Sequence, residues 1–315
     1  MSGYDRAVVD ALDRAIVGRR SEIEVVVAAL AAERHVLLEG PPGTGKSTLL
    51  RALADAAGVE LVFVEGNAEL TPARLIGSFD PARVLADGYS PDVFLEGPLV
   101  EALRTGALLY VEEINRVPEE TLNVVITAMS ERELHVPRLG RVVAEPGFRV
   151  VAAMNPFDAI GTARISSAVY DRVCRVAMGY QSAGEEDEIV RREAPGAGAG
   201  PVGTRAVAVV RATREHPDVR VGSSVRGAID LVLLVDQLAE LRGAEPGDEA
   251  VGLDAALAAL SGRVRVREGT GRSAEDVVRE LWAAHAPAPD DDTGDTLDTS
   301  DASDADEQAG SAGKA

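Results

Sequence analysis

The stretch GPPGTGKST, residues 40–48, is the strongest structural signal in this 315-residue chain. It fits the pattern G-x-x-x-x-G-K-[ST]. The preceding HVLLEG (35–40) predicts a short strand that ends in glycine, and the following STLLRALADAAG (47–58) predicts a helix closed by Gly58. A strand before the loop and a helix after it are the context that this motif needs.

The composition of this loop matches the chemistry of phosphate binding. Glycines let backbone N–H groups turn inward around phosphates, and the N-terminus of the next helix adds partial positive charge. Of the 32 basic residues only two are lysines, Lys46 in the loop and Lys314 near the end of the chain. We expect Lys46 to contact the β- and γ-phosphates of a nucleotide and Ser47 to bind Mg²⁺. The predicted binding residues are Gly40, Pro41, Pro42, Gly43, Thr44, Gly45, Lys46, Ser47 and Thr48.

Strand-like and helical segments alternate on both sides of the loop. Strands are predicted at 60–66, 107–113, 148–155 and 172–178, and helical periodicity covers 5–33 and 118–130. Several of these strands are apolar throughout, which is typical of a parallel sheet buried on both faces. We therefore expect an α/β fold with a doubly wound parallel sheet.

The pattern changes after Gln181. A loop at 193–203 is followed by helical periodicity at 204–216, 223–242, 248–264 and 273–285. Residues 286–315 are rich in Asp, Ala, Ser, Thr and Gly, a composition typical of disorder. We therefore predict three parts: a nucleotide-binding core (1–180), a small helical lid (181–285) and a disordered acidic tail (286–315).

Charge and composition narrow the class of partner. The net charge is −20, and the last thirty residues (eight Asp, one Glu, one Lys) supply −8, which leaves −12 for the rest. An acidic body argues against nucleic acid as the main partner. No apolar stretch approaches the length of a membrane span, and the first residues lack an apolar signal core. The single cysteine, Cys174, fits a reducing cytoplasm and is predicted to be a buried apolar side chain.

Two adjacent carboxylates, Glu112 and Glu113, end the apolar run in LLYVEEIN at 108–115. Acidic residues at the carboxyl end of a strand, beside a phosphate-binding loop, form the second half of a nucleotide site. Because adjacent strand residues point to opposite faces, we expect the two carboxylates to have different tasks. One would hold Mg²⁺ and the other would orient or deprotonate the attacking water; a solvated strand end without a ligand is the alternative.

GPPGTGKST, LLYVEEINRVPEETLNVVITAMSE (108–131) and VVAAMNP (150–156) together resemble AAA+ ATPases, specifically the MoxR group with the related CbbQ/NorQ and GvpN-type proteins. The resemblance covers about residues 5–285. It implies ATP as the nucleotide, Glu112 on the metal side and Glu113 as the catalytic base. The group usually has Asp at the first position, so the longer Glu112 departs from its pattern.

The resemblance also assigns polar residues that follow the later strands. Asn155 matches sensor 1, which orients the attacking water; an Asn before Pro is otherwise a common turn former. Arg172 matches the arginine finger that reaches the ATP of a neighbouring subunit. Arg164 is a competing candidate for the finger, and a surface pairing of Arg172 with Asp171 is the alternative to it.

Two more predictions of binding residues depend on the same resemblance. Val17 and Gly18 are similar to the segment whose backbone contacts adenine, although Gly18 would equally suit the end of a helix. GSSVRGAID (222–230) resembles the lid segment that carries sensor 2, which places Arg226 on the phosphates. A lid arginine without this role is the alternative.

The family resemblance implies Mg²⁺-dependent ATP hydrolysis in a cytoplasmic ring, expected to be a hexamer. Hydrolysis would drive chaperone-like remodelling or maturation of a partner complex that includes a von Willebrand factor A domain protein. Insertions at 66–98 and 131–147, the second a predicted β-hairpin, would face the pore or the partner; solvent-exposed loops without such a role are the alternative. A nucleic-acid motor or clamp loader would instead be stimulated by DNA or RNA, and a nucleotide-gated scaffold would release almost no phosphate.

Overall fold

The computed structural model describes residues 3–156 and 166–286 of the chain. The strands are β1 (His35–Glu39), β2 (Leu61–Glu65), β3 (Gly77–Phe79), β4 (Phe94–Glu96), β5 (Leu108–Glu112), β6 (Glu133–Val136), β7 (Gly140–Val143), β8 (Arg149–Met154), β9 (Val173–Ala177), β10 (Val219–Val221) and β11 (Arg265–Val266). The helices are α1 (Arg6–Ala15), α2 (Arg20–Ala31), α3 (Lys46–Ala57), α4 (Pro72–Ile76), α5 (Pro81–Asp87), α6 (Pro98–Thr105), α7 (Glu119–Glu131), α8 (Ser167–Tyr170), α9 (Ala183–Glu193), α10 (Pro201–Glu215), α11 (Val225–Arg242), α12 (Glu249–Leu260) and α13 (Ala274–Ala284).

Five parallel strands form the central sheet in the order β2–β5–β8–β1–β9. The register pairs Glu39 with Met154 and Glu65 with Glu112, so the carboxyl ends of the strands meet at one edge. The loops after β1, β5 and β8 leave the sheet at that edge, where parallel α/β folds place their ligands. The predicted α/β fold with a parallel sheet is confirmed.

Helices cover both faces of this sheet, which explains why its strands are apolar throughout. Leu109 and Val111 of β5 belong to the hydrophobic cluster that includes α6 and α7. Leu108 and Tyr110 belong to a second cluster that includes the apolar side chains of α3. Alternation along β5 therefore directs Tyr110 toward the helix that follows the glycine-rich loop.

The helices after residue 182 build a hydrophobic cluster of their own. Val207 of α10, Leu231 of α11, Ala256 of α12 and Trp282 of α13 are all buried in it. Strands β10 and β11 pair antiparallel beside these helices. No helix within residues 3–156 and 166–286 is long and apolar enough to cross a membrane.

The structure corrects several local predictions. The helical segment predicted at 5–33 is two helices, because Gly18 takes a left-handed φ of 67° and separates α1 from α2. Helix α9 was not predicted, although Ser182 and Glu185 form a capping box at its start. The predicted loop at 193–203 contains the first residues of α10. Cys174, on the edge strand β9, is half-buried rather than buried.

Both predicted insertions contain small antiparallel pairs. In the first, β3 pairs with β4, and in the second β6 and β7 form the predicted hairpin, which is confirmed. The guanidinium of Arg138, at the tip of this hairpin, lies 3.7 Å from the ring centroid of Tyr89 in the first insertion. This cation–π contact joins the two insertions into one surface.

His35, at the amino end of β1, is a buried base that gives the fold a pH-dependent stability. Its Nδ1 accepts a hydrogen bond from the Val150 N–H at 2.8 Å, which requires the neutral ring. Burial lowers the pKa of His35 to about 4. The unfolded chain, with an ordinary histidine pKa, therefore binds this proton first as the pH falls.

We expect the free energy of unfolding to fall by about 3 kcal/mol through His35 as the pH falls from 6.5 toward 4. Urea unfolding at several pH values should show this loss in the wild type and not in His35→Asn, which cannot titrate there. The exposed His135 supplies the control: in His135→Asn the free energy of unfolding should depend on pH as it does in the wild type. The same pH dependence of the unfolding free energy in the wild type and in His35→Asn would contradict a role of His35 in this loss of stability.

Candidate nucleotide site

A cavity of about 1100 Å³ lies between the glycine-rich loop, the carboxyl ends of β5 and β8, and the start of α11. The predicted site residues on its walls are Pro41, Pro42, Gly43, Gly45, Lys46, Ser47, Glu112, Glu113, Asn155 and Arg226. Thr48 lines an adjoining cavity of about 520 Å³ together with Ser47, Glu112 and Arg226. The fold thus brings together most of the predicted residues, although they come from distant parts of the chain.

The glycine-rich loop has the backbone of an anion cradle. Gly43 and Gly45 have left-handed φ angles of 74° and 85°, and Gly45 directly precedes α3. Lys46 extends back over the loop, where its Nζ donates to the carbonyl oxygens of Gly40 and Pro41, both at 2.8 Å. Burial lowers the pKa of Lys46 to about 8. Lys46 is the first residue of α3, so its positive charge lies at the helix N-terminus, where backbone N–H groups without intrahelical partners bind phosphates.

Arg19 is a buried residue behind the loop that the sequence patterns did not identify. Its side chain donates to the carbonyl oxygens of Thr44 (3.1 Å) and Gly179 (2.5 Å) and to the carboxylate of Glu22 (2.8 Å). It is 3% exposed. These bonds attach the loop to the segment after β9. In a chain whose basic residues are nearly all arginine, nothing in the sequence distinguishes this one.

Val17 and Gly18 lie next to Arg19 but are not among the residues that line the described cavity. A Cβ at Gly18 would lie 2.3 Å from the Glu185 side chain, so this segment packs closely against the start of α9. It runs behind the loop, between the sheet and the helical part of the chain. Their contact with adenine stays a prediction.

Ser47, Glu112 and Tyr110 form a hydrogen-bonded group on one side of the cavity. The Ser47 hydroxyl donates to Glu112 Oε1 at 2.5 Å, and the Tyr110 phenol donates to Ser47 Oγ at 3.0 Å. Burial raises the pKa of Tyr110, which keeps the phenol protonated. In the sequence Tyr110 belongs to an apolar run, and its buried phenol is the one signal that points to a polar partner.

The prediction that strand alternation separates Glu112 from Glu113 is wrong. Strand β5 ends at Glu112, and Glu113 takes a left-handed conformation with φ 51° and ψ 45° before the short 3-10 turn Ile114–Arg116. Strand alternation therefore does not apply to Glu113; a sharp turn of the backbone separates its carboxylate from that of Glu112. A left-handed non-glycine residue is uncommon, and such conformations concentrate at functional sites. The Glu113 carboxylate pairs with Arg116 at 2.9 Å.

Asn155 directly follows β8 and lies beside the two glutamates on the cavity wall. Its backbone carbonyl accepts a hydrogen bond at 3.3 Å from the side-chain amide of Asn115, which is buried. This bond connects the turn after β5 to the end of β8. It thereby fixes the position of Asn155 relative to Glu113.

Arg226 reaches the cavity from the helical part of the chain. A Cβ at Gly43 would lie 2.2 Å from Ser224 Oγ and 3.9 Å from Arg226 Cδ, so the start of α11 is in close contact with the glycine-rich loop. The charge of Arg226 also contributes to the lowered pKa of Lys46. Three more arginines, which no sequence pattern distinguishes, also line the cavity: Arg214, Arg220 and Arg265.

Arg172 lies far from the cavity of its own chain. It precedes β9, whose first residue, Val173, pairs with His35 at the amino end of β1. The glycine-rich loop begins at the other end of β1, about 16 Å away along the strand. Arg172 donates instead to Ser130 Oγ (2.5 Å) and to the Ala168 carbonyl oxygen (2.7 Å). The competing candidate, Arg164, lies outside the described residues.

The donor set of the cavity fits ATP with Mg²⁺. Mg²⁺ prefers oxygen ligands, is held by one or two protein groups, and takes its other ligands from phosphates and water. The Ser47 hydroxyl and the Glu112 carboxylate supply such oxygens. The described residues contain no group of three or more His, Cys, Asp and Glu side chains that would hold a metal ion by themselves. Lys46 and Arg226 supply positive charge for the phosphates.

Comparison with protein families gives a match to the AAA domain (dynein-related subfamily) over residues 35–173. The chain is also 30% identical over 251 residues to the uncharacterized protein YeaC of Bacillus subtilis (strain 168), across 71% of this chain and 75% of YeaC. It is 33% identical over 149 residues to the uncharacterized protein SAB1265c of Staphylococcus aureus (strain bovine RF122 / ET3-1), across 47% of this chain. That match spans only 56% of the staphylococcal protein.

Comparison with solved structures supports the fold. The chain matches a point mutant of Thermotoga maritima RuvB with a TM-score of 0.53 and 19% identity, across 78% of this chain and 71% of the RuvB chain. Another RuvB structure, described as a Holliday junction branch migration motor, matches with a TM-score of 0.50 and 17% identity, across 78% of this chain and 70% of that chain. At this identity the likeness concerns the fold alone.

Proposed function

Because this chain belongs to the AAA domain family (dynein-related subfamily) and is therefore an ATP hydrolase that uses Mg²⁺, we propose that it acts as a MoxR-type ATPase. Its subunits assemble in a ring, expected to be a hexamer, and use hydrolysis for chaperone-like remodelling or maturation of a partner protein complex. One observation carries this proposal: the loop lysine, both glutamates, Asn155 and Arg226 line a single cavity between the sheet and the helical part.

The proposal gives each of these residues a task in hydrolysis. Lys46 binds the β- and γ-phosphates, and Ser47 and Glu112 hold Mg²⁺, which neutralises charge on the phosphates when bound. Glu113 orients and deprotonates the attacking water, and Asn155 positions that water beside the γ-phosphate. For Glu113 to turn toward the water, its ion pair with Arg116 must open, which fits a base that acts only once ATP is in place.

We further propose that the core (1–180) and the helical lid (181–285) move relative to each other during turnover. The support is the contact of Ser224 and Arg226 with the glycine-rich loop, since a change at the γ-phosphate would act on α11 through Arg226. The predicted disordered tail lies outside the described residues except for Ala286. We place the protein in the cytoplasm. The support is that a single cysteine forms no disulfide within the chain, so folding needs no oxidising compartment.

A ring with shared sites is proposed from the position of Arg172. An arginine at the amino end of β9 has no route to the ATP of its own chain, whereas a neighbouring subunit can present it to the next cavity. Such a finger neutralises charge that develops on the γ-phosphate. The alternative finger, Arg164, precedes the same strand.

The joined insertions are the proposed contact with the partner, for which a von Willebrand factor A domain protein is our expectation. They expose apolar side chains, with Leu85 90%, Leu95 57% and Tyr89 54% exposed. Exposed apolar side chains on one surface are typical of protein contacts. Leu85 of α5 makes the sharpest probe, because it has no role in the core.

Affinity capture tests this function. Tagged Glu113→Gln, loaded with ATP and Mg²⁺, should retain a partner that Lys46→Ala does not retain under the same conditions. Adding Leu85→Asp to Glu113→Gln should release the partner while ATP binding stays unchanged. Retention of the same proteins by Glu113→Gln and Lys46→Ala would contradict nucleotide-driven remodelling.

A nucleic-acid motor is the second candidate, because RuvB, described as a branch migration motor, shares this fold. It predicts that duplex or single-stranded DNA, or RNA, raises the rate of phosphate release several-fold. The net charge of −12 outside the last thirty residues opposes binding to a polyanion. An ATPase rate unchanged by nucleic acid at low salt would exclude this candidate.

A further inference from the structure

Tyr110 is a fully buried polar residue beside the site. None of the roles proposed above for hydrolysis involves it. It is 0% exposed and lies two residues before Glu112, so both side chains start from the same face of β5. Its phenol donates to Ser47 Oγ at 3.0 Å, and Ser47 donates in turn to Glu112 at 2.5 Å. The Tyr110 phenol also interacts with the Glu112 carboxylate, so the three groups form one hydrogen-bonded group at the cavity wall.

The hydrogen-bonding capacity of Ser47 shows what its bonds to Tyr110 and Glu112 do. A serine hydroxyl has one hydrogen and two lone pairs. The hydrogen is donated to Glu112, and one lone pair accepts the Tyr110 hydrogen. A single lone pair remains, and the two bonds fix the rotation of the hydroxyl, so that this lone pair has one direction. Without Tyr110 the oxygen would keep two lone pairs free.

We propose that Tyr110 is a positioning residue for the metal: it orients the Ser47 hydroxyl so that its remaining lone pair faces Mg²⁺. This inference rests on the proposed assignment of Ser47 and Glu112 to the metal. It also gives a use for glutamate at position 112, because the longer side chain meets the Ser47 hydroxyl directly. Tyr110 itself does not touch the metal or the nucleotide.

A purely structural role of Tyr110 makes a different prediction. Its ring packs against Phe63, with the ring centroids 5.5 Å apart, and belongs to the cluster that includes α3. If only this packing mattered, Tyr110→Phe would keep the ring and leave the site unchanged. If the phenol positions Ser47, removing the oxygen affects metal-dependent binding and spares metal-free binding.

The test measures nucleotide affinity with and without Mg²⁺ in the Glu113→Gln background, where turnover does not interfere. A fluorescent ATP analogue is titrated in excess Mg²⁺ and again in EDTA. We expect Tyr110→Phe to weaken binding in Mg²⁺ by about three- to tenfold, the effect of losing one hydrogen bond, with the affinity in EDTA unchanged. Tyr4→Phe, a partly buried tyrosine outside the cavity, should change neither value.

A double-variant comparison separates positioning from packing. In a Ser47→Ala background the additional change Tyr110→Phe should have a much smaller effect on the Mg²⁺-dependent affinity, because the hydroxyl that it orients is absent and only the contact of Tyr110 with Glu112 remains. An effect of the same size with and without Ser47 would overturn the proposal, and so would an unchanged Mg²⁺-dependent affinity in Tyr110→Phe alone. If Mg²⁺ does not strengthen nucleotide binding even with Tyr110 intact, the assignment of the metal site itself has failed.

Discussion

Replacing Glu113 with glutamine should reduce steady-state ATP hydrolysis by about 10²- to 10⁴-fold, the typical contribution of a general base. Glutamine keeps the size of the side chain and one acceptor oxygen, but it loses the charge that pairs with Arg116 and does not accept the proton of the attacking water. Since Glu113 does not hold the phosphates in this account, the ATP affinity should stay within about twofold of the wild type. Phosphate release and equilibrium binding of a fluorescent ATP analogue measure the two quantities.

The matched control for this variant is Glu120→Gln. Glu120 is an exposed residue of α7, and its substitution removes the same charge near the site. It should retain the wild-type rate. Wild-type hydrolysis in Glu113→Gln would remove Glu113 as the base. A loss of binding in parallel with the loss of rate would instead show that the left-handed turn at Glu113 holds the site together, because the substitution would then have disturbed more than proton transfer.

Lys46→Ala should abolish ATP binding at concentrations that saturate the wild type, with an affinity loss on the order of 100-fold. The ammonium group is the cation that the loop itself supplies, and alanine also removes its bonds to the carbonyl oxygens of Gly40 and Pro41. Calorimetric titration with ATP and Mg²⁺ measures the effect. Because the loop keeps its glycines and the helix N-terminus, the variant should still fold.

Lys314→Ala is the natural control for this experiment, because Lys314 is the only other lysine of the chain. It should bind ATP as the wild type does. Equal affinities of Lys46→Ala and Lys314→Ala would contradict the assignment of the glycine-rich loop. Circular dichroism of both variants should match the wild type, which separates a lost contact from a lost fold.

The parts of the site that the sequence predicts are those encoded by local pattern. The glycine-rich loop needs a strand before it and a helix after it, and both follow from residues within about fifteen positions. The acidic end of β5 is visible because Glu112 and Glu113 interrupt an apolar run. Hydrophobic periodicity similarly predicts the parallel sheet, whose apolar strands are buried on both faces.

The parts that the sequence does not predict depend on contacts between distant residues or on a single backbone angle. Tyr110 meets Ser47 across 63 positions of the chain, and Arg19 meets Gly179 across 160. No local pattern distinguishes these side chains from apolar packing or from a surface arginine. Glu113 differs from a strand residue only in its left-handed backbone conformation. The residue types around it do not predict that conformation. The metal-side and water-side carboxylates are therefore predictable as a pair, but their geometry is not.

The central claim is that neighbouring subunits complete each other's ATP sites. Arg172→Ala should lower hydrolysis by at least about 10³-fold on its own, as loss of an arginine finger does in related chemistry. Arg164→Ala, which tests the competing candidate, should then remain close to the wild type. If Arg164→Ala instead shows the large loss and Arg172→Ala stays close to the wild type, Arg164 is the finger. ATP sites shared between subunits would then still be supported.

Mixing the two inactive proteins, Arg172→Ala and Glu113→Gln, measures this sharing. In rings assembled from equal amounts, about one interface in four joins an intact Glu113 to an intact Arg172 of the next subunit. We predict that phosphate release recovers to about a quarter of the wild-type rate. A rate no higher than the sum of the two separate variants would contradict shared sites.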